Sequence, residues 1–433
     1  MEVDIKNVDT KTISKNGIQI LEKLEDIIDD AEEIRDRKTV ENPELLRSLE
    51  IVKKFLVKTK RICYGGMAIN AHLPTHLKFY DFNKVLPDYD FFTPEPEKDS
   101  KELIRLFKEA GYTEIADRLG IHQGTTKLFI NYTAVADITE IPEWMYSILK
   151  KKAIEEHGIL YTDADFLRMN MYLELSRPRG EIERWDKVYK RLVLLNLAKH
   201  PHKSYCSRVP HNRFKVPKSI HQAIIHYIAT HDLIFAGAEL KRVYSKPSSN
   251  RVGYILNSQS PILAYSDEPE HHVHAVRQLI YDTTGMKQLK LLKWPSFFEG
   301  FPAMWGIQMN GSLVFVAIEE KFCNSFNIVQ LSNNLNLRIV SLDTAITLFY
   351  MASFIKGLEG IVPGSIHCFA DSLVDISMRT RDKGMPGVYP LFIKYCHGHQ
   401  ESKATLLRDK ARRIQSLKRK KLGIRKTVKR SRV

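Results

Sequence analysis

Two aspartates one residue apart, Asp88 and Asp90 in "LPDYDFFTPEP", are the residues of this chain best suited to chemistry. Alternate side chains of a β-strand project from one face, so both carboxylates would point together while Tyr89 faces the other way. Like charges that close repel, and they stay ionised together only with a cation between them. Hard oxygen ligands in this arrangement suit Mg²⁺, which keeps several waters and takes its remaining ligands from substrate phosphates. Asp137 in "TAVADITE" offers a third carboxylate, the one charge in a stretch that is otherwise apolar or small. Burying an unpaired charge is costly, so Asp137 is read as a partner of the first two in a two-metal site.

Upstream, "CYGGMAINAHL" ends a short apolar strand and opens a helix. Glycine lets backbone N–H groups approach a polyphosphate at a helix N-terminus, which assigns Gly65 and Gly66 to a nucleotide-binding turn. Asn70, on the same helix, is grouped with them. The motif lacks the lysine of a P-loop, so phosphate charge has to be met by metal and by basic side chains elsewhere. Lys187 and Arg191, on one face of a later helix, are the residues proposed for that; as solvated helix charges they would need no such role. A paired glycine or an isolated D-x-D is common by chance. Their order is more specific: strand, glycine pair, helix, paired aspartates on an apolar strand, helix, and a single aspartate on a later strand.

The elements that must position these groups are legible from periodicity. Ile18, Leu21, Leu24 and Ile28 recur at helical spacing, as do Leu45, Leu49, Val52 and Leu56. From Arg61 short β-branched and aromatic runs ("RICY", "DYDFF", "LFINYTAVADI") alternate with helical text such as "SKELIRLFKEAG". Helices over "DADFLRMNMYLELS" and "RWDKVYKRLVLLNLAK" follow, the second with Val188, Leu192 and Leu195 on one face. The expected class is α+β. The expected organisation is a helical segment over 1–60, a catalytic domain over 61–199, a Pro-punctuated basic linker over 200–218, a second domain over 219–400, and a basic helix and tail over 401–433.

The second domain reads as a diverged copy of the first. Setting "DYDFFTPEP" over "PILAYSDEP" aligns Glu95 and Pro96 with Glu268 and Pro269; "YGG" finds an echo in "AGA", and "YTAVADITE" in "LVFVAIEE". Asp88 then meets Pro261 and Asp90 meets Leu263, so the copy lacks those two metal ligands. A retained fold without the carboxylates reads as a scaffold for packing, dimerisation or RNA guidance.

Of 433 residues, 66 are Lys or Arg and 51 Asp or Glu, for a net charge of +15. Twelve of the basic residues and no acidic ones lie in Lys410–Val433, so everything before them carries 54 − 51 = +3. A polycationic tail on a nearly neutral body binds polyanions by counterion release, with little sequence preference. Neither a signal peptide nor a run of about 20 apolar residues is found, so a soluble intracellular protein is expected. The five cysteines form no C-x-x-C pair and are read as free thiols, with no structural metal assigned.

The ordered set around "GGMAIN", "LPDYDFFTPEP" and "RWDKVYKRLVLLN" resembles the DNA polymerase β-like nucleotidyltransferases. More narrowly, residues 60 to 200 resemble the catalytic subunits of poly(A) polymerases from large nucleocytoplasmic DNA viruses. The resemblance implies Mg²⁺ or Mn²⁺ dependence with Asp88, Asp90 and Asp137 as the metal ligands and catalytic carboxylates. It also implies ATP as donor, an RNA 3′ end as acceptor, a homodimer, and residence in the host cytoplasm (the viral factory) or the virion. Between Gly66 and Asp88 lie 88 − 66 = 22 positions, longer than usual for the superfamily, so "PTHLKFYDFNKV" (74–85) reads as an insert. Two alternatives stay open: another RNA terminal nucleotidyltransferase of uridylyl- or CCA-adding type, and a non-catalytic RNA-binding scaffold.

Overall fold

The computed structural model of the chain describes residues 41–80, 86, 88–201, 206, 215–245, 251–297, 301–332, 334–382 and 395–421, with positions 27 and 31. The Ile18 to Ile28 stripe, most of the 200–218 linker, part of the 74–85 insert and the tail beyond 421 lie outside the described residues, apart from the isolated positions just named.

In chain order the first unit comprises α1 (Pro43–Thr59), β1 (Ile62–Cys63), α2 (Gly65–His72), β2 (Tyr89–Thr93), α3 (Pro96–Glu109), β3 (Ile115–Leu119), β4 (Thr125–Ile130), β5 (Thr133–Glu140), α4 (Glu143–Lys152), β6 (Ile154–Glu156), β7 (Ile159–Tyr161), α5 (Ala164–Leu175) and α6 (Trp185–Ala198). The second comprises α7 (Lys218–Thr230), β8 (Ile234–Phe235), α8 (Leu240–Ser245), α9 (Arg251–Leu256), β9 (Ile262–Ser266), α10 (Pro269–Thr284), β10 (Leu289–Trp294), β11 (Met304–Met309), β12 (Ser312–Glu319), β13 (Asn324–Ser332), β14 (Leu335–Val340), α11 (Leu342–Ala352), α12 (Ile366–Asp382) and β15 (Cys396–His397). A basic helix, α13 (Lys403–Lys421), follows.

Local chemistry sets these boundaries. Asn42 caps α1 by accepting from the amides of Glu44 and Leu45, Pro43 opens the helix, and left-handed Lys60 closes it. The stripe Leu45, Leu49, Val52 and Leu56 is buried, together with Phe55. "LFINYTAVADI" is a hairpin and not a single run. Asn131 and Tyr132, at φ 48° and 66°, form its two-residue turn.

The two sheets share one topology. The first runs β3-β4-β5-β2-β1-β7-β6 and the second β10-β11-β12-β9-β8-β14-β13-β15, the same order with one extra edge strand. Directions agree pair by pair: β2 with β5 and β9 with β12 are parallel, as are β1 with β7 and β8 with β14. The central antiparallel pairs fix the equivalence residue by residue, since Ile62 faces Phe92 where Ile234 faces Tyr265. Asp88 and Asp90 therefore correspond to Pro261 and Leu263, as the sequence comparison had them. Asp90 pairs with Asp137 across β2 and β5, and Leu263 with Val316 across β9 and β12, so the third aspartate is lost as well. Even the turn into the following helix repeats: Thr93 Oγ1 accepts from the Glu95 amide and Ser266 Oγ from the Glu268 amide.

The units pack through equivalent helices, α5 against α11. Phe166 of α5 meets Phe354 edge-on at 5.8 Å, and the Ser325 amide donates to Ser176 O. Asp165 on α5 accepts from His367 Nε2 on α12 at 2.8 Å and also holds Arg168. The expectation of free thiols needs correction. Cys206 is disulfide-bonded to Cys368 and Cys323 to Cys396, while Cys63 is free and buried. Separations of 162 and 73 residues leave no local spacing signal, because the fold, not the sequence neighbourhood, brings these sulfurs together.

Candidate active site

The glycine turn and the paired strands meet as their sequence order implies. Tyr64 N–H donates to Asp90 O at 2.9 Å, which sets the end of β1 beside the start of β2 and places Gly65 against the aspartate side chain. Gly65 has φ +69°, and a Cβ there would come within 2.4 Å of Asp90 Oδ2. No L side chain fits both constraints. Gly66 is held small by different neighbours: its Cβ would meet Tyr80 Oη at 2.3 Å and Arg191 Nη1 at 3.1 Å.

Oxygens of Asp88, Asp90 and Asp137 lie within 4.8 Å of one another. Burial, with the like charges of Asp88 and Asp137 added, pushes the Asp90 carboxyl up to about 8, against the pull of Lys127 and Arg184. Burial also raises Asp137, opposed by Lys127, with which it forms an ion pair directly across β4 and β5. Asp137 Oδ1 is buried without a hydrogen-bond partner. Three converging hard oxygens, one orphaned and one whose ionisation burial and its neighbours disfavour, fit a divalent cation of the Mg²⁺ or Mn²⁺ kind.

The strand carrying the pair is anchored at its far end. Arg61 Nη2 donates to Glu95 at 2.8 Å and to buried Asp99 at 2.9 Å, tying the entry of β1 to the turn after β2. Opposite the carboxylates stands α6. Burial, then the charges of Arg191 and Arg184, lowers the ammonium pKa of Lys187, while Asp88 opposes the shift. The Arg191 guanidinium lies 4.6 Å from the Phe79 ring centroid and 5.6 Å from that of Tyr80, and donates to Tyr80 Oη at 3.2 Å.

These contacts give the insert a role. Asn70, buried at 3% exposure, accepts from the amides of Phe79 and Tyr80 at 3.0 and 3.3 Å. Its carbonyl is engaged by the insert, which in turn aligns Arg191 over Gly66. Sequence reasoning missed Lys127, Arg184, Tyr80 and Arg61. For Lys127 a signal existed, since hairpin pairing of "TTKLFI" with "TAVADI" sets it opposite Asp137. The other three depend on contacts distant in sequence.

Residues 50–181 match the family described as Poly(A) polymerase catalytic subunit. A protein of Acanthamoeba polyphaga mimivirus carrying that same catalytic-subunit description is 31% identical over 201 residues, 45% of this chain and 34% of the relative. One from African swine fever virus (isolate Pig/Kenya/KEN-50/1950) is 28% identical over 160 residues, covering 36% of this chain and 33% of its own length. The aligned segment thus spans about a third of these curated relatives. The crystal structure of the Megavirus polyadenylate synthase superposes over 98% of this chain and 86% of its own, with a TM-score of 0.72 at 19% identity. Among the described residues no helix is long and apolar enough to cross a membrane. The chain therefore has the fold of that polyadenylate synthase over nearly its whole length, and its residues 50–181 are similar to the poly(A) polymerase catalytic subunit family.

Proposed function

We propose that the first cleft is the active site of a template-independent polynucleotide adenylyltransferase, which adds AMP from ATP to RNA 3′ ends. The observation that carries this reading is the convergence of Asp88, Asp90 and Asp137 beside the positive-φ turn at Gly65. The adenine preference and the RNA acceptor are taken from the family match.

Asp88, Asp90 and Asp137 would hold two divalent ions, which when bound supply charge to activate the attacking 3′-hydroxyl and to stabilise the pyrophosphate leaving group. The chain's own groups do the rest. Gly65 and Gly66 keep the floor of the cleft clear of side chains and open the amides of the first turn of α2 to phosphate oxygens. Lys187, Arg191 and Arg184 on the opposite wall meet triphosphate charge, with Arg191 oriented by Phe79 and Tyr80. Lys127 pairs with Asp137 and opposes the upward shift that burial imposes on its carboxyl. The second domain, with Pro261, Leu263 and Val316 at the three equivalent positions, lacks the counterparts of these three aspartates and supports the first through α5 and α11.

The basic residues of α13 and the tail beyond it are assigned to the RNA strand, and a homodimer acting in the cytoplasmic viral factory or the virion completes the reading. Incubation with a labelled RNA and each NTP in Mg²⁺ tests it. Long A-only products and pyrophosphate are expected from ATP; equal use of UTP or CTP would move the assignment to another terminal nucleotidyltransferase, and no extension by any NTP would favour the scaffold.

A further inference from the structure

The second domain has lost the metal ligands but kept the cleft. A cavity of about 1030 Å³ opens between α8, the segment entering β9 and α12. By fold equivalence this is the place that the glycine turn, the insert and α6 enclose in the first domain. The turn itself is retained: Ala236 N–H donates to Leu263 O at 2.8 Å as Tyr64 N–H does to Asp90 O, which sets Gly237 at the position of Gly65.

A carboxyl also returns at that spot, from a different element. A Cβ on Gly237 would come within 2.2 Å of Glu239 Oε2, where one on Gly65 would meet Asp90 Oδ2. Glu239, itself 5% exposed, lines the cavity; its Oε1 accepts from Ser258 Oγ and its Oε2 is buried. Burial pushes its carboxyl up to about 7, so near neutrality a large share is protonated and able to donate to an anionic oxygen. Lys215, Lys241 and Arg242 stand on the same walls. The Lys241 ammonium is 6.0 Å from the Phe369 ring centroid, leaving an aromatic surface beside the cations. Asp375, by contrast, is already paired with Arg379 at 2.8 Å.

We propose that this second cleft binds a nucleoside phosphate without a divalent cation, its phosphate held by Lys215, Lys241, Arg242 and Glu239. The choice of nucleotide rests on the nucleotide reading of the first cleft. Metal independence rests on Pro261, Leu263 and Val316, none of which offers a ligand, and on the wall carboxyls being engaged, Asp371 accepting from Tyr350 Oη at 2.8 Å and Asp375 paired with Arg379, so phosphate charge is met by the side-chain cations.

The test is calorimetric titration of the full chain with ATP in excess EDTA, with adenosine, inorganic phosphate and a short oligoadenylate as comparison ligands. A single saturable site is expected that persists in Asp90→Asn and is weakened about tenfold or more in Lys241→Glu/Arg242→Glu. The neutral pair Lys241→Gln/Arg242→Gln, carried alongside in case charge reversal unfolds α8, should show the same direction, and phosphate should compete where adenosine does not. Absence of EDTA-resistant binding, indifference to either pair of substitutions, adenosine binding as well as ATP, or capture of the oligonucleotide but not ATP would each overturn the proposal. Loss of RNA extension in Mg²⁺ is a separate readout, so failure here leaves the assignment of the first cleft standing, and failure there leaves this binding measurable.

Discussion

Replacing Asp90 with asparagine should make the metal-free protein more stable while abolishing its chemistry. The Asp90 carboxyl titrates at about 8 in the fold, against about 3.9 in an unfolded chain. Its folded pKa is the higher, so between those values the native state binds more protons, and stability falls as pH rises through the window. At pH 7 roughly three units separate the unfolded pKa from ambient pH, which at about 1.4 kcal/mol each sets a cost on the order of 4 kcal/mol. Asp137, whose carboxyl burial also raises, shares that cost. Asparagine keeps the shape and cannot ionise. In EDTA, Asp90→Asn should melt a few degrees above the parent at pH 8, and the difference should shrink toward pH 5. Added Mg²⁺ should raise the parent's melting temperature and leave the variant's nearly unchanged, since only the parent gains a ligand of the native state. ATP incorporation should fall by about a thousandfold or more. Differential scanning fluorimetry across pH with and without Mg²⁺, paired with a tailing assay, reads all three. A variant that melts below the parent in EDTA at pH 8, or gains equally from Mg²⁺, would refute the reasoning.

Gly65→Ala should cost about 1–2 kcal/mol through its left-handed backbone and, by driving Asp90 aside, reduce kcat by about a hundredfold, read by thermal melting and steady-state kinetics. Asn70→Ala leaves the Phe79 and Tyr80 amides without their acceptor; a loss of about 1–3 kcal/mol and a KM for ATP that rises more than kcat falls are expected. His221 is fully buried with neither ring nitrogen bonded, and burial holds its pKa down to about 4. Its folded pKa lies below the unfolded 6.5, so stability is lost as pH falls from there toward 4, by roughly 3 kcal/mol, and His221→Leu should flatten that slope in denaturant melts. Deleting residues 422–433 removes five cations and should lower the slope of log affinity for single-stranded RNA against log salt by up to about 3.5; an unchanged slope would remove the tail from the RNA interface.

That deletion starts after α13 for a structural reason. The Arg413 guanidinium donates to the carbonyls of Gly120, Ile121 and His122 in the β3–β4 turn, so part of the basic segment is clamped to the first domain. Composition could mark the segment as cationic but could not show this clamp, which joins residues almost 300 positions apart. The aspartates and glycines were legible because their chemistry is local: strand alternation puts Asp88 and Asp90 together, and a glycine pair after a strand marks a turn. The duplication was legible in sequence order, and strand registers give the same alignment. Beyond local spacing lay groups matched through space, among them Arg61 on Asp99, Tyr80 against Gly66, and the two disulfides. The loss of the third carboxylate at Val316 likewise needed the β9–β12 register.

The central claim is that one of two equivalent clefts performs nucleotidyl transfer, and a labelled-ATP extension assay on a 3′-hydroxyl RNA tests it most directly. The protein should extend that RNA and leave a 3′-deoxy-terminated one untouched, with extension lost in Asp88→Asn, Asp90→Asn and Asp137→Asn alike and retained in Lys241→Gln/Arg242→Gln. Extension surviving in the aspartate variants, or label incorporated equally into the 3′-blocked RNA, would contradict it.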